Sequence, residues 1–453
     1  MIALSFLDEL AWRGLLYQYT EGVREMLAGG PITAYCGFDP SARSLHVGNL
    51  VPVMGLAHLQ RAGHRPIVLV GGGTGMIGDP SGKATERTLN SLEVVEENVR
   101  AIKHQLERFL DFTGTHAALM RNNADWLMSL GAIEFMRDVG KHFTVNYMTA
   151  KESVKSRLES GISYTEFSYM LLQAYDFLEL HRREGARLQI GGSDQWGNIT
   201  AGVELIRRTV GPEAHAVTLP LVTTASGTKF GKTEAGAVWL DPSLTSPYKF
   251  YQFWINADDR DVGRYLRFFT LLSRTEIESL ERSLAERPES RDAQRALATE
   301  VTTRVHGANA TRVAAEAARF VFDRNADPRQ FAPGVLEALM QELPSVVIRV
   351  SSAAEGATGA QMTVTAADGR TVPVAVKQTP DGPGVDVLDV FVATGLVKSK
   401  GDARRLLQQG GLYANGDKLA PEHTVLSVAG AIHGQYYVLR KGAREIAIVR
   451  LAA

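Results

Sequence analysis

At 453 residues, with 45% hydrophobic and 22% charged residues, the chain has the composition of a globular protein of roughly three domains, which excludes wholesale disorder. Its 49 Lys and Arg against 50 Asp and Glu leave a net charge of −1, so RNA contact has to come from local basic patches. Cys36 as the single cysteine excludes a disulfide framework and a cysteine-rich metal site, in keeping with a reducing compartment.

In chain order, residues 1–30 carry Asp8, Glu9, Glu21 and Glu25 without a basic-then-apolar signal pattern. No stretch approaches the roughly 18 consecutive apolar residues that span a bilayer. A cytoplasmic protein without membrane contact is the expectation. Residues 32–38 read as a strand, followed by the turn Asp39-Pro40 and a helix after His46. In Tyr35-Cys36-Gly37-Phe38-Asp39-Pro40 and His46-Val47-Gly48-Asn49, the second string opens a helix after the first strand, where open α/β sheets bind ligands. His46 and Asn49 point the same way at three-residue spacing. A helix N-terminus offers N–H groups to an anion, and Gly48 lets a nucleotide lie against the backbone; alone, His46 reads equally as a helix cap.

Residues 66–70 read as a buried strand and 71–82 as a glycine-rich loop. Gly73-Thr74-Gly75-Met76-Ile77-Gly78 fits a dinucleotide fingerprint, but Asp79-Pro80-Ser81-Gly82 interrupts the helix that should follow. A phosphate loop at Gly82-Lys83 fails because Ile77 and Ala84 occupy its required glycine and hydroxyl positions. The loop then serves close approach of a ligand to backbone. Residues 90–112 form an amphipathic helix with Val95, Val99, Ile102, Leu106 and Phe109 on one face and Asn90 with Glu93 at its start. Alternating strands and helices predict an α/β fold with a parallel sheet.

Tyr169, Gln173 and Asp176 fall at i, i+4 and i+7 among apolar residues, one polar stripe on a helix. Such a stripe needs partners, supplied by a polar ligand, by an internal network or by solvent. Thr228-Lys229-Phe230-Gly231-Lys232-Thr233, between Gly227 and Gly236, is a glycine-hinged loop whose two lysines can swing onto phosphates. From about 248 to 331 the pattern is helical. Residues 351–384, rich in Ala, Gly, Thr and Ser, suggest a linker, with 361–366 and 371–376 as a hairpin around Asp368-Gly369. From Lys398 onward nine Lys and Arg stand against four acids, +5 in a chain of −1, the footprint of RNA contact, with a solvated basic face as the plain alternative.

The pairing of His46-Val47-Gly48-Asn49 with Lys229-Phe230-Gly231-Lys232-Thr233 about 180 residues downstream resembles the two signatures of the class I aminoacyl-tRNA synthetases. Tyr35 to Pro40, Gly75-Met76-Ile77-Gly78-Asp79-Pro80, the segment 169–176 and Gly191-Gly192-Ser193-Asp194-Gln195-Trp196-Gly197-Asn198 narrow the resemblance to bacterial-type tyrosyl-tRNA synthetases, over nearly the whole chain. The resemblance implies a Rossmann-like catalytic domain (1–245), a helical anticodon-binding domain (246–335) and a small α+β RNA-binding module (385–453); the linker with its hairpin, read from composition and placed at 336–384, is longer than the family usually has.

It also implies roles. Tyr169, Gln173 and Asp79 would hold an ammonium group, Tyr35 and Asp176 a phenolic hydroxyl, with Gln195 beside them in the L-tyrosine pocket. A site built around that hydroxyl rejects phenylalanine because its own polar groups would be left unpaired, and tyrosyl-tRNA synthetases are the known instance of that discrimination. Cys36, Gly37, Asp39, Gly48, Asn49, Gly192 and Asp194 would bind or orient ATP, His46 would contact its phosphates, and Lys83, Arg87, Lys229 and Lys232 would stabilise leaving pyrophosphate. Magnesium would arrive with ATP, with no metal ligands or tightly bound cofactor on the protein. Lys151, Arg207 and Arg208 would meet the acceptor stem of tRNA(Tyr), and Lys400, Arg404 and Arg405 its phosphates elsewhere. A homodimer is implied. Asn49 departs from the family's histidine, though an amide can still donate to ribose. A tryptophan-specific relative fits Tyr35 and Asp176 poorly, a catalytically silent RNA-binding protein would not need His46, Asp79 and both loop lysines, and a small-molecule nucleotidyltransferase leaves the basic C-terminus unexplained.

Overall fold

The computed structural model describes residues 5–81, 91–158, 161–228, 230–233, 236–323, 326–351, 361–366, 371–374, 376–379, 382–422, 425–442 and 444–452. Its contacts divide the chain into two units, Met1–Gly307 and Ala308–Ala453. No helix of the described residues is long and apolar enough to cross a membrane.

The first unit is built on a six-stranded sheet of β1 (Gln18–Tyr19), β2 (Thr33–Phe38), β3 (Arg65–Val70), β4 (Leu119–Asn122), β5 (Ala186–Gly192) and β6 (His215–Leu219), ordered β1-β6-β5-β2-β3-β4. All neighbours are parallel except the edge pair of β1 with β6. β3 carries the apolar run Ile67-Val68-Leu69-Val70, as expected of a parallel strand with both faces covered. On one face Tyr35, Ile67 and Leu69 share a core with Met170 and Phe177 of the helix Tyr164–Glu184 and with Leu205 of the helix Trp196–Thr209. On the other lies the helix Leu50–Arg61, where a Cβ at Gly55 would stand 2.8 Å from the Leu219 side chain, which would have to shift to admit it.

Because the chain runs from β2 outward to β3 and β4 and then returns to β5 on the other side of β2, the sheet has its switch point between β2 and β5, and the crevice beyond their C-terminal ends is the place for a ligand. Four helices, Pro247–Ile255, Asp259–Phe269, Arg274–Glu286 and Asp292–His306, complete this unit. The helix read as 90–112 runs Leu92–Leu106, with Ser91 accepting from the Val94 N–H as its N-cap; Asn90 lies outside the described residues.

In the second unit, Thr371–Val374, Gln361–Ala366, Ser345–Ser351, Glu445–Ala452, Tyr436–Lys441, Leu412–Ala414 and Asp417–Lys418 form one seven-stranded sheet in that spatial order. Gln361–Ala366 and Thr371–Val374 pair antiparallel, and Glu445–Ala452 runs parallel to Ser345–Ser351. One core spans Val346, Ile348 and Val364 together with Phe391, Leu407, Leu439 and Val449.

Candidate active site

The ends of β2 and β5, the loop after β3, the start of the helix at His46 and the helix Tyr164–Glu184 enclose a cavity of about 360 Å³. Tyr35, Asp79, Tyr169, Gln173, Asp176 and Gln195 all line it, as do Cys36, Gly37, Asp39, His46, Gly48, Asn49, Gly192 and Asp194. Lys83, Arg87 and Lys229 lie outside the described residues, and of Lys232 only the backbone is described.

Asp176 is 2% exposed, yet both its oxygens are engaged. Trp126 Nε1 donates to Oδ1 at 2.7 Å and Asn123 Nδ2 donates to Oδ2 at 2.9 Å. Burial pushes its carboxyl up to about 7 against the lowering effect of those two hydrogen bonds. The Tyr35 ring, fully buried, packs edge-on against Phe177 at 5.1 Å, and its hydroxyl has no hydrogen-bond partner among the described residues. Burial, then the Asp176 charge, raises its phenol well above the ordinary range, so the hydroxyl stays protonated. A buried hydroxyl without a partner costs about 1–3 kcal/mol. This end of the cavity is therefore built for one more polar atom.

The polar stripe of the helix Tyr164–Glu184 divides its work. The Tyr169 hydroxyl donates to Asp39 Oδ2 at 2.8 Å, and Thr74 Oγ1 donates to Asp39 Oδ1 at 2.8 Å. Gln195 Nε2 donates to Asp79 Oδ2 at 2.6 Å, while Asn198 Nδ2 reaches Gln173 Oε1 and Gln195 Oε1 at 3.2 Å each. Tyr169 is raised well above its ordinary range by burial first and by the Asp39 and Asp79 charges next. Two carboxylates thus face this part of the cavity, a setting that attracts an ammonium group.

At the helix start, His46 is the N-cap: its Nδ1 accepts from the Gly48 N–H at 3.0 Å, and Asn49 Oδ1 accepts from the His46 N–H at 3.0 Å. An Nδ1 that accepts leaves the ring proton of the neutral imidazole on Nε2. Capping and lining the cavity coexist in one residue. A Cβ at Gly48 would stand 2.8 Å from the His46 ring, so glycine is dictated by the histidine. Asn49 uses Oδ1, not its amide N–H, in this contact. At Gly192 a Cβ would stand 2.5 Å from Asp194 Oδ1. Burial raises the Cys36 thiol to about 12, which keeps it unreactive.

The lysine loop lies against this helix start. Val47 N–H donates to Val238 O, Val238 N–H donates to Gly231 O, both at 3.0 Å, and Leu240 N–H donates to Leu45 O at 2.9 Å. A Cβ at Gly231 would meet Val47 at 2.7 Å. His46 and Trp239 form a bridge, with ring centroids 6.0 Å apart.

Asn123 and Trp126 escaped the reading of the sequence, and Thr74 and Asn198 stood in motifs without a role of their own, although Asn122 ends β4 and Asn123 and Trp126 follow it, a position that favours ligand residues. Asn122 Oδ1 and Asn123 Oδ1 also take the Gly72 and Gly73 N–H groups at 3.1 and 2.7 Å, which ties the glycine loop to the pocket.

The RNA candidates stand elsewhere. Lys151 Nζ donates to Thr200 Oγ1 at 3.1 Å and sits over the Tyr147 ring. Arg207 and Arg208 share Glu204, at 2.7 and 2.5 Å. In the second unit, the helix Lys400–Gln408 buries Ala403 and Leu407 and exposes Arg404 and Arg405; Lys400 pairs with Asp389 and Arg405 with Asp402. Exposed pairs of this kind are weak, little hindrance to exchange for a phosphate.

A family model described as "tRNA synthetases class I (W and Y)" matches residues 27–323, and one for a tyrosine--tRNA ligase SYY-like C-terminal domain matches 370–449. A tyrosine--tRNA ligase of Roseiflexus castenholzii is 51% identical over 450 residues, 99% of each chain. One of Bacillus caldotenax is 50% identical over 453 residues, 99% of this chain and all of its own. Among solved structures, a C-terminally truncated mitochondrial tyrosyl-tRNA synthetase of Aspergillus nidulans superposes with a TM-score of 0.63 at 30% identity, covering 70% of this chain and 94% of its own.

Proposed function

The chain belongs to the tyrosine--tRNA ligases of the class I tRNA synthetases, and from that premise we propose how its cavity activates L-tyrosine with ATP and delivers it to tRNA(Tyr). The enzyme joins tyrosine to the α-phosphate of ATP, releases pyrophosphate and passes tyrosine to the 3′-terminal adenosine. The observation that carries the reading is the unpartnered, fully buried Tyr35 hydroxyl beside the doubly held Asp176. A phenolic hydroxyl serves both, donating to the carboxylate and accepting from Tyr35; phenylalanine would leave the Tyr35 hydroxyl buried and unpaired.

On this reading Asp79, Tyr169 and Gln173 hold the tyrosine ammonium, with Gln195 fixing Asp79. The tyrosine carboxylate is the nucleophile, so the protein's task is placement and charge stabilisation, without a side-chain nucleophile. Cys36, Gly37, Asp39, Gly48, Asn49, Gly192 and Asp194 seat the nucleotide, and His46 Nε2–H donates to a phosphate oxygen. Lys83, Arg87, Lys229 and Lys232 take up the charge that grows on pyrophosphate. Magnesium comes with the ATP.

The division of labour is proposed in the same way: catalysis in 1–245, anticodon contact in 246–335, acceptor-stem contact by Lys151, Arg207 and Arg208, and phosphate contact by Lys400, Arg404 and Arg405 of 385–453. A homodimer in the cytoplasm completes the proposal. Tyrosine-dependent ATP–pyrophosphate exchange tests the first step, and an Asp176→Ala variant that still separated tyrosine from phenylalanine would remove the pocket assignment.

A further inference from the structure

The loop between Thr223 and Ala237 contains one buried side chain among its described residues, Phe230 (5% exposed). It sits between the two lysines in sequence, at 230 between 229 and 232. Its ring stacks on Phe269 at 5.1 Å and 10°, and meets Tyr265 at 5.0 Å, Phe253 at 5.6 Å and Trp254 at 5.8 Å. This seat belongs to the helices Pro247–Ile255 and Asp259–Phe269. The second helix also holds the other limb of the loop: Asp261 Oδ2 accepts from the Ala225 N–H at 2.8 Å, and Arg264 donates to Thr223 O at 2.5 Å.

Gly227, Gly231 and Gly236 have φ of 81°, 79° and 107°, a left-handed backbone that glycine adopts without strain. Left-handed glycines therefore flank the phenylalanine on both sides. The Gly231 backbone, next to the ring, abuts Val47 and Gly48 at the helix start. A cavity of about 810 Å³ adjoins the seat, so a smaller side chain at 230 leaves the loop room to depart.

We propose that Phe230 is a positioning residue for tyrosyl-adenylate formation: its aromatic seat pins the loop backbone so that Lys229 and Lys232 meet the pyrophosphate as it leaves. The helices Pro247–Ile255 and Asp259–Phe269 thereby become a working part of the active site. The inference rests on the role given above to the loop lysines. It assigns to the ring no contact with substrate.

The test uses stopped-flow adenylate formation and tyrosine binding at equilibrium in the full chain. Phe230→Ala is expected to slow adenylate formation roughly 10- to 100-fold, the cost of misplacing reacting groups by about an ångström, with tyrosine affinity within about twofold of the parent. Phe230→Met, which refills the seat, is expected to recover most of the rate. In a Lys232→Ala background the Phe230→Ala effect should shrink sharply, because both act through one group. A merely structural role would lower the melting temperature and leave the chemical step and this coupling unmoved. Should Phe230→Ala not fold, Phe269→Leu reads the same seat from the other side, with a slower step at unchanged tyrosine affinity expected. Parental rates in the folded seat variants beside a slow Lys232→Ala overturn the inference alone; a parental rate in Lys232→Ala removes the reading of the loop itself.

Discussion

The indole N–H of Trp126 donates to Oδ1 of Asp176 at 2.7 Å. This bond fixes the carboxylate plane while Asn123 holds the second oxygen, so the acceptor proposed for a phenolic hydroxyl is held in place by the protein's own side chains. Both partners are invisible in the i, i+4, i+7 stripe, because they come from the end of β4, some 50 residues upstream.

Replacing Asp176 by Ala should sharply slow tyrosine activation and narrow the preference over phenylalanine. Loss of one buried charge-assisted partner costs about 1–3 kcal/mol or more, roughly 5- to 150-fold in discrimination. Exchange assays with both amino acids read the ratio; a ratio near the parent's places the hydroxyl elsewhere.

The pH dependence of tyrosine binding follows from the same carboxyl. Raised to about 7 by burial, Asp176 holds a proton in the folded protein that the unfolded chain would have released above about 4. Its protonation therefore favours the folded state, and that contribution is lost as pH rises through about 7. Binding runs the other way, since the phenolic hydroxyl donates to the ionised form. Tyrosine affinity should fall by up to about tenfold per unit below pH 7, and Asp176→Asn should flatten the profile. A flat profile in the parent contradicts the assignment.

Trp126→Phe keeps an aromatic ring at the site and deletes the N–H. Because that bond lowers the Asp176 carboxyl, its loss should move the acid limb of tyrosine binding to higher pH and weaken affinity by roughly 10- to 150-fold, the range of about 1.5–3 kcal/mol for a hydrogen bond to a charged group. Isothermal titration across pH measures both, and an unmoved limb would show that the bond does not set the carboxyl.

Gly48→Ala brings a methyl group to 2.8 Å from the His46 ring and should expel the imidazole from its cap. Adenylate formation should slow by about 10- to 100-fold, while tyrosine affinity stays near the parent's. Equal kinetics would remove His46 from the phosphate contact.

Truncation separates the two steps. A cut after residue 384 would split the core shared by Val346, Ile348 and Val364 with Phe391, Leu439 and Val449, so a chain of 1–384 should aggregate. A chain of 1–307 respects the boundary between the units and should retain tyrosine-dependent exchange while losing most tRNA charging. Equal charging with and without 308–453 would refute a tRNA role for the second unit.

The strands 32–38 and 66–70 were legible because buried parallel strands are continuous apolar runs, and the cavity residues because they cluster at strand ends and on one helical stripe. The partners Thr74, Asn123 and Trp126 were not, since long-range hydrogen bonds leave no periodic trace. Composition made 351–384 look like a linker; its strands are short, and Gln361–Ala366 joins the sheet through Ser345–Ser351, which itself pairs with Glu445–Ala452 about 100 positions away. His46 read as either cap or ligand residue, and the fold makes it a cap that also lines the cavity.

The most direct measurement of the central claim is amino-acid-dependent ATP–pyrophosphate exchange without tRNA, comparing tyrosine, phenylalanine and tryptophan. The geometry at Tyr35 and Asp176 predicts exchange with tyrosine and background rates with the other two. Exchange with tryptophan or phenylalanine at a comparable rate, or none with tyrosine, would contradict it.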